Sequence, residues 1–301
     1  MIRWYCALAF VLVGFQSRAQ TPDLKDFPKK GSYLYYHQPA FEDNSFLLNE
    51  AINQEKGVMQ YISNFYFDNL KGGNFLYNFS HEIPLGGERN QLSYSFSYYF
   101  QNKDADSKGG GGFGDVNLSY HHLLSGKKAW AMVVPTITII IPTAKNGYGS
   151  GGLGAQAELF VTKRVSPRVI THYNFGYTYI SSADLYISTS SGSRSVGYER
   201  DLHFKKIAAS AIWYPTRKFN LMLEYVSNFL TEITNTGEIS ASHQITLNPG
   251  LRFAIDHNNV QIVPGISAPV IFTDGKYTQT GLFFYLSFEP QYLPFTKMKE
   301  R

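Results

Sequence analysis

The side chains that could do chemistry in this chain stand singly along runs of alternating residues and are not gathered into a motif. Opposite the aromatic positions of those runs lie Asn78 and Glu82, Asn117 and His121, Glu158, His172 and Asn174, Glu224 and Arg252. Spaced in this way, a carboxylate, an imidazole and a guanidinium do not form a nucleophile–base pair by themselves. They do form a polar surface to which several strands each contribute one or two groups. Glu158, His172, Asn174, Glu224 and Arg252 are therefore the candidate lining of an interior. Glu158, Glu224 and Arg252 are expected to make an internal ion network that either lines a passage or closes it, or simply to satisfy one another in a closed structure.

Other chemistries find little support. The glycines match G-x-G-x-x-G at Gly109/Gly111/Gly114, Gly147/Gly149/Gly152 and Gly149/Gly151/Gly154. A dinucleotide site needs a strand before such a match and a helix after it, but here a strand follows each, so the glycines read as loops. His121 and His122 are adjacent on a strand and point to opposite faces, so they cannot chelate together. There is no H-E-x-x-H and no cysteine partner, and no metal site or cofactor is assigned. Asp104 and Asp106 lie in a glycine-rich loop that reads as solvated rather than as a calcium site. A lipid hydrolase would need Ser and His on one strand face. The nearest candidate, Tyr225-Val226-Ser227-Asn228, has no histidine two residues before the serine, and G-x-S-x-G is absent. No catalytic residue is assigned, and the chain does not read as an enzyme.

The elements that must carry these residues are strands. Leu92, Tyr94, Phe96, Tyr98 and Phe100 alternate with serines, and Tyr173, Phe175, Tyr177 and Tyr179 alternate with His172, Asn174, Gly176 and Thr178. One face is apolar and aromatic, the other small and polar, so each strand separates an apolar medium from a polar one. The same pattern predicts strands over 58–68, 73–83, 91–100, 115–124, 129–142, 153–165, 168–180, 203–214, 219–228, 243–256, 260–272 and 280–288. At about 9–13 residues they have membrane-spanning rather than ordinary soluble length. Connections alternate between short turns and longer polar loops, the latter over 102–112, 143–152, 181–201, 228–242 and 273–279. The expected fold class is all-β: an antiparallel up-and-down transmembrane barrel of about twelve strands, an even count as closure favours.

Residues 1–19 read as a secretory signal peptide, with Arg3, an apolar run to Phe15 and a Ser17-Arg18-Ala19 cleavage site. Cys6 lies inside that run, so the mature chain has neither disulfide nor lipid-anchor chemistry. With 22 Tyr, 23 Phe and 26 Gly, but only 17% charged residues, the composition is that of an exported barrel. The formal charge of +4 falls to about +2 once Arg3 and Arg18 leave with the signal, and no basic cluster suggests nucleic acid. Residues 20–57 form a leader. Within it Leu47, Leu48, Ala51 and Ile52 make one stripe, capped by Asp43, Asn44 or Ser45 and ended by Gly57, which predicts a short amphipathic helix over 45–55. That helix would fill the lumen, cover the periplasmic mouth or lie on the membrane. The barrel itself takes 58–288, and 289–301 is a C-terminal extension.

Three segments together resemble a family of bacterial outer-membrane proteins: EDNSFLLNEAINQEKGVMQYI, GFGDVNLSYHHLL, and the stretch from IIPTAKN to SGGLGAQAELFVTKRVSPR. The family is the MetA-pathway-of-phenol-degradation type, grouped with transporter-like outer-membrane barrels, and the likeness runs from about residue 42 to 288. The resemblance implies an outer-membrane barrel and uptake of small hydrophobic or aromatic compounds. Outer-membrane lipid around the wall is expected from the apolar strand faces, and the barrel-assembly machinery from a last strand that ends on the aromatic Phe288. It implies no binding residues and does not identify a cargo. The alternative is a non-conducting structural or adhesion barrel acting through its loops.

Overall fold

The computed structural model describes residues 44–68, 73–102, 109–125, 129–145, 147–189, 192–234, 236–257 and 260–290, side chains within 185–196 excepted. The expected signal peptide, and Asp104 and Asp106, lie outside the described residues, as does the expected C-terminal extension apart from Glu289 and Pro290, which continue the last strand. Fifteen strand segments form one antiparallel sheet. They are β1 (Gln60–Phe67), β2 (Phe75–Pro84), β3 (Asn90–Gln101), β4 (Gly110–His122), β5 (Met132–Ile141), β6 (Gly154–Ser166), β7 (Val169–Thr189), β8 (Gly192–Thr216), β9 (Phe219–Ile233), β10 (Ile239–Phe253), β11 (Ile255–His257), β12 (Val260–Ser267), β13 (Val270–Thr273), β14 (Lys276–Thr280) and β15 (Leu282–Pro290). Each of β1 to β10 pairs with its sequence neighbour. β10 then pairs with both β12 and β13, and β12 pairs with β15. β15 returns to β1, Ser63 opposite Leu286, and closes the ring.

Interruptions at Ala254, Ala268–Pro269 and Gly281 divide three strands into segments, so the wall is a closed barrel of twelve strands. The Ala268–Pro269 break follows from proline, which has no N–H to give a ladder.

The wall is turned inside out relative to a soluble protein. Leu118, Ile139, Phe175, Ile207 and Leu223 are exposed on the outer face, while Asn174, Glu224, Asn248 and Arg252 are wholly buried inside. Large apolar side chains on every strand exterior have no reason to stay in water, and charged or amide groups inside need partners there. The medium outside is therefore hydrocarbon, and this is a transmembrane barrel. At the turn end Trp130 is 80% exposed and Lys163 Nζ sits 3.8 Å from its ring centre, an aromatic and a cation together at the level of the headgroups. In detergent the folded protein is expected to migrate faster on an SDS gel before boiling than after. Equal mobility would count against closure.

One end of the barrel has tight turns. Only residues 167–168 separate β6 from β7, and only 217–218 separate β8 from β9. At the other end the stretches expected as loops over 181–201 and 228–242 are largely strand. β7 and β8 stay paired out to Thr189 and Gly192, and β9 and β10 out to Ile233 and Ile239. Polar residues there still alternate and still pair, so loss of the apolar face ended the membrane span but not the ladder. The glycine run was likewise expected as loop, yet Gly110–Gly114 belongs to β4. It stays in strand because the open space is needed: a Cβ at Gly112 would strike the ring of Tyr148.

The predicted helix over 45–55 is not formed. Residues 44–57 run irregularly through the turn-end half of the lumen as a strap, without a helical turn. The reason lies in where its N–H groups go. Those of Leu47, Asn49, Ala51 and Gln54 are taken by side chains of the wall, so they are not available to carbonyls four residues back.

Candidate functional site

The strap and the wall around it form the candidate site. Glu224 Oε1 accepts the Leu47 N–H at 3.0 Å, and its Oε2 accepts Asn248 Nδ2 at 2.6 Å. Asn174 binds both backbone groups of Asn49, accepting the N–H at 2.9 Å and donating to the carbonyl at 2.7 Å. Thr162 Oγ1 accepts the Ala51 N–H at 2.7 Å. The same hydroxyl is hydrogen-bonded to His172 Nδ1 at 2.7 Å, the His172 tautomer setting which of the two donates. Gln91 Oε1 accepts the Gln54 N–H at 2.7 Å, and Arg252 Nη1 donates to the Asn44 carbonyl.

A second layer ties these groups together. Glu82 accepts from Asn44 Nδ2 at 3.0 Å and from Gln91 Nε2 at 2.8 Å. Asn44 Oδ1 in turn accepts the Glu50 N–H at 2.8 Å, folding the strap back on itself. Gln60, at the start of β1, accepts from Gln54 Nε2 and donates to Glu289. Buried amides and carboxylates with both sides engaged give a rigid, water-excluding arrangement.

Apolar contacts fill the remaining volume. Phe46 lies among Ile62, Met222, Val263, Phe283 and Tyr285, edge-on to Phe283 at 5.7 Å and to Tyr285 at 5.9 Å. Leu48 packs on Ala208 and Val226, and Ala51 on Val134 and Phe160. The Arg252 guanidinium carbon stands 5.3 Å from the Tyr285 ring centre and 5.9 Å from that of Phe46. The cation thus lies over two rings while one of its nitrogens donates to the strap.

All five residues expected to line an interior point inward and are buried. His172, Asn174, Glu224 and Arg252 gather on the strap. Glu158 does not join them: it pairs instead with Lys206 at 3.3 Å. The expected network of Glu158 with Glu224 and Arg252 is therefore divided, because register places Glu158 opposite Gly176, and Lys206 lies across that glycine. The same register places Glu224 opposite Asn248 and Arg252 opposite Asn220. Lys206, Gln60, Gln91, Thr162, Asn248, Gly250 and Gly265 were missed from the sequence. The inward parity of Lys206 was readable from its alternation with Ile207. The glycines inside strands were a readable sign of close approach.

Above the strap the inward side chains are mostly uncharged and half-exposed, linked as Asn78–Ser97 at 3.0 Å, Asn117–Ser95 at 3.3 Å and Ser119–Thr138 at 2.8 Å. At the loop end Asp115 draws in the 142–153 connection. It accepts the Ser150 N–H and O–H, each at 2.7 Å, and the Ala144 N–H at 3.2 Å.

Beyond the wall, Ser182 takes φ of 52° at the base of the β7–β8 hairpin. Its N–H is held by Asp201 at 3.0 Å, and Tyr179 O–H also donates to Asp201, at 2.8 Å. The Ser182 bond first, and the Tyr179 bond after it, hold the Asp201 carboxyl below its ordinary value of 3.8. A depressed carboxylate contributes above its unfolded value and loses that contribution as pH falls through the folded one. Acidification below about pH 4 is thus expected to loosen the hairpin base. The Ser182 amide resonance should report it, and the acid-dependent step should be absent in Asp201→Asn.

Ser227, the serine considered for hydrolysis, has a histidine partner that local sequence did not reveal. His243 Nε2 lies 2.8 Å from its Oγ, and the imidazole stacks on Phe229 at 4.4 Å. Among the described residues no side chain holds the other ring nitrogen, so the third member that orients a catalytic histidine is not there.

Fold and site together define an outer-membrane-type β-barrel whose lumen is occupied by its own chain. The structure is similar to an outer membrane channel from Pseudomonas putida F1, with a TM-score of 0.57 and 12% identity over 77% of this chain and 95% of that one. It is also matched, at a TM-score of 0.46 and 5% identity, by the NanC porin, over 77% of this chain and 98% of the porin. The KdgM porin matches at 0.42 and 8%, over 78% and 99%. No family model matches the chain, and no curated protein matches it either.

Proposed function

We propose that this protein is an outer-membrane channel for small molecules, closed at its periplasmic half by residues 44–57. The observation that carries the reading is that a segment of the chain itself, residues 44–57, lies across the turn-end half of the lumen and is bonded to inward side chains of the wall. The inward side chains above the strap are polar and mostly half-exposed, and the strap runs into β1 through a turn at Glu55-Lys56-Gly57 in which Glu55 and Lys56 are exposed. Removing it leaves a twelve-stranded ring, a size at which the interior can hold or pass a small solute. The resemblance to the MetA-pathway-of-phenol-degradation type supports uptake of small aromatic compounds, and the likeness in fold to an outer-membrane channel is consistent with it. The signal-like residues 1–19 support export through a cleaved leader. The lining role of Glu158, His172, Asn174, Glu224 and Arg252 belongs to the same proposal.

Planar-bilayer recording tests it. The full chain is expected to be silent or nearly so, and a form lacking residues 21–57 to conduct. A folded barrel silent in both forms would remove transport. That outcome would leave the second reading, favoured by the protruding β7–β8 hairpin, of a non-conducting barrel that acts through its loops.

A further inference from the structure

The wall holds the strap mainly by its backbone. The N–H groups of Leu47, Asn49 and Ala51, two residues apart, go to Glu224, Asn174 and Thr162. The Asn49 carbonyl goes to Asn174 and the Asn44 carbonyl to Arg252. Between bends at Phe46–Leu47 and at Ala51 these alternate N–H groups face one side, as on a strand edge, and side-chain oxygens stand where a neighbouring strand's carbonyls would. The side chains between enter separate pockets, Phe46 among Ile62, Phe283 and Tyr285, and Leu48 against Ala208 and Val226. Main-chain bonds giving affinity and alternating pockets giving selectivity are the two halves of peptide recognition.

Resting on the channel reading above, we propose that the turn-end half of the lumen is a binding site for a short bent peptide segment held by its backbone. Residues 44–57 are its resident occupant and leave it reversibly. The chemistry selects an aromatic side chain at the first pocket, an aliphatic one two residues on, and a small one three residues after that. Closure of the barrel is then a binding equilibrium, held toward the closed state by the tether. A peptide of the same pattern supplied from outside competes for the site.

The test uses the barrel lacking residues 21–57, its folding checked by heat-modifiable migration, and a fluorescent synthetic peptide of residues 44–57. Saturable binding by anisotropy is expected, with loss of conductance over the same concentration range. A scrambled peptide, and the Asn174→Ala barrel with the true peptide, are each expected to bind at least about tenfold more weakly. No saturable binding to the folded barrel, or equal binding of the scrambled peptide, overturns the proposal. Specific binding in a barrel that never conducts upholds the site and removes the channel reading instead. Should the shortened barrel not fold, a protease site inserted after Lys56 in the full chain gives the same test. The cleaved strap is expected to exchange with excess labelled peptide, and retention without exchange overturns the proposal.

Discussion

Replacing Glu224 by alanine is expected to destabilise the folded barrel by about 3–5 kcal/mol and to make the full-length protein conduct. The carboxylate is wholly buried between two donors, the Leu47 N–H and Asn248 Nδ2. Alanine leaves both donors without an acceptor in a buried site, and each buried donor left unsatisfied costs about 1–3 kcal/mol. Part of the loss falls on the wall and part on the strap, so the two readouts separate. Urea unfolding in detergent reports the sum, and bilayer conductance reports the strap. Glu224→Gln keeps an oxygen for Leu47 and is expected to cost less than half as much and to remain largely closed. An alanine variant as stable and as silent as the parent would mean that the strap is held elsewhere.

The barrel was legible because its physical cause is local. Period-two alternation of Tyr and Phe with Ser and Asn needs no tertiary knowledge, and it placed all twelve wall strands. The inward parity of Glu158, His172, Asn174, Glu224 and Arg252 followed from the same rule. The partners did not, because register between strands decides whether Glu158 meets Arg252 or Lys206, and register is not written in either strand alone. The strap was misread for a related reason. Leu47, Leu48, Ala51 and Ile52 do make a helical stripe, and Gly57 is where a helix would stop. A helix satisfies its own backbone, however, and the lumen offers Glu224, Asn174, Thr162 and Gln91 as competing acceptors. Tertiary context outweighed a weak local preference. The histidine partner of Ser227 was invisible for the same cause, since His243 reaches it diagonally from the next strand.

The strongest effect that leaves every hydrogen bond donor and acceptor of the site in place is expected at a glycine. Phe46 lies in a slot that exists because Gly250 and Gly265, on neighbouring strands, have no Cβ. A Cβ on Gly250 would overlap Phe46 Cε2 and lie 2.6 Å from Ser267 Cβ, and one on Gly265 would lie 2.9 Å from Phe46 Cε1. Gly250→Ala must therefore displace the ring and also part the wall at Ser267, and of the two a tethered strap moves further than a closed sheet. The variant is expected to conduct in full-length form while keeping its heat-modifiable migration. Phe46→Ala removes the ring itself and with it about 3–5 kcal/mol of packing, and is expected to open the same path. The cycle between them tests the mechanism, because contacting residues do not add. In the Phe46→Ala background, Gly250→Ala should cost only its remaining conflicts with Ser267 Cβ and the Ile266 carbonyl, less than its cost in the parent. Equal costs in both backgrounds would show that the ring does not sit where the slot places it. Coupled costs with no conductance in either single variant would show that the strap stays seated without its aromatic anchor, and that the backbone bonds from Glu224, Asn174 and Thr162 are sufficient to close the barrel.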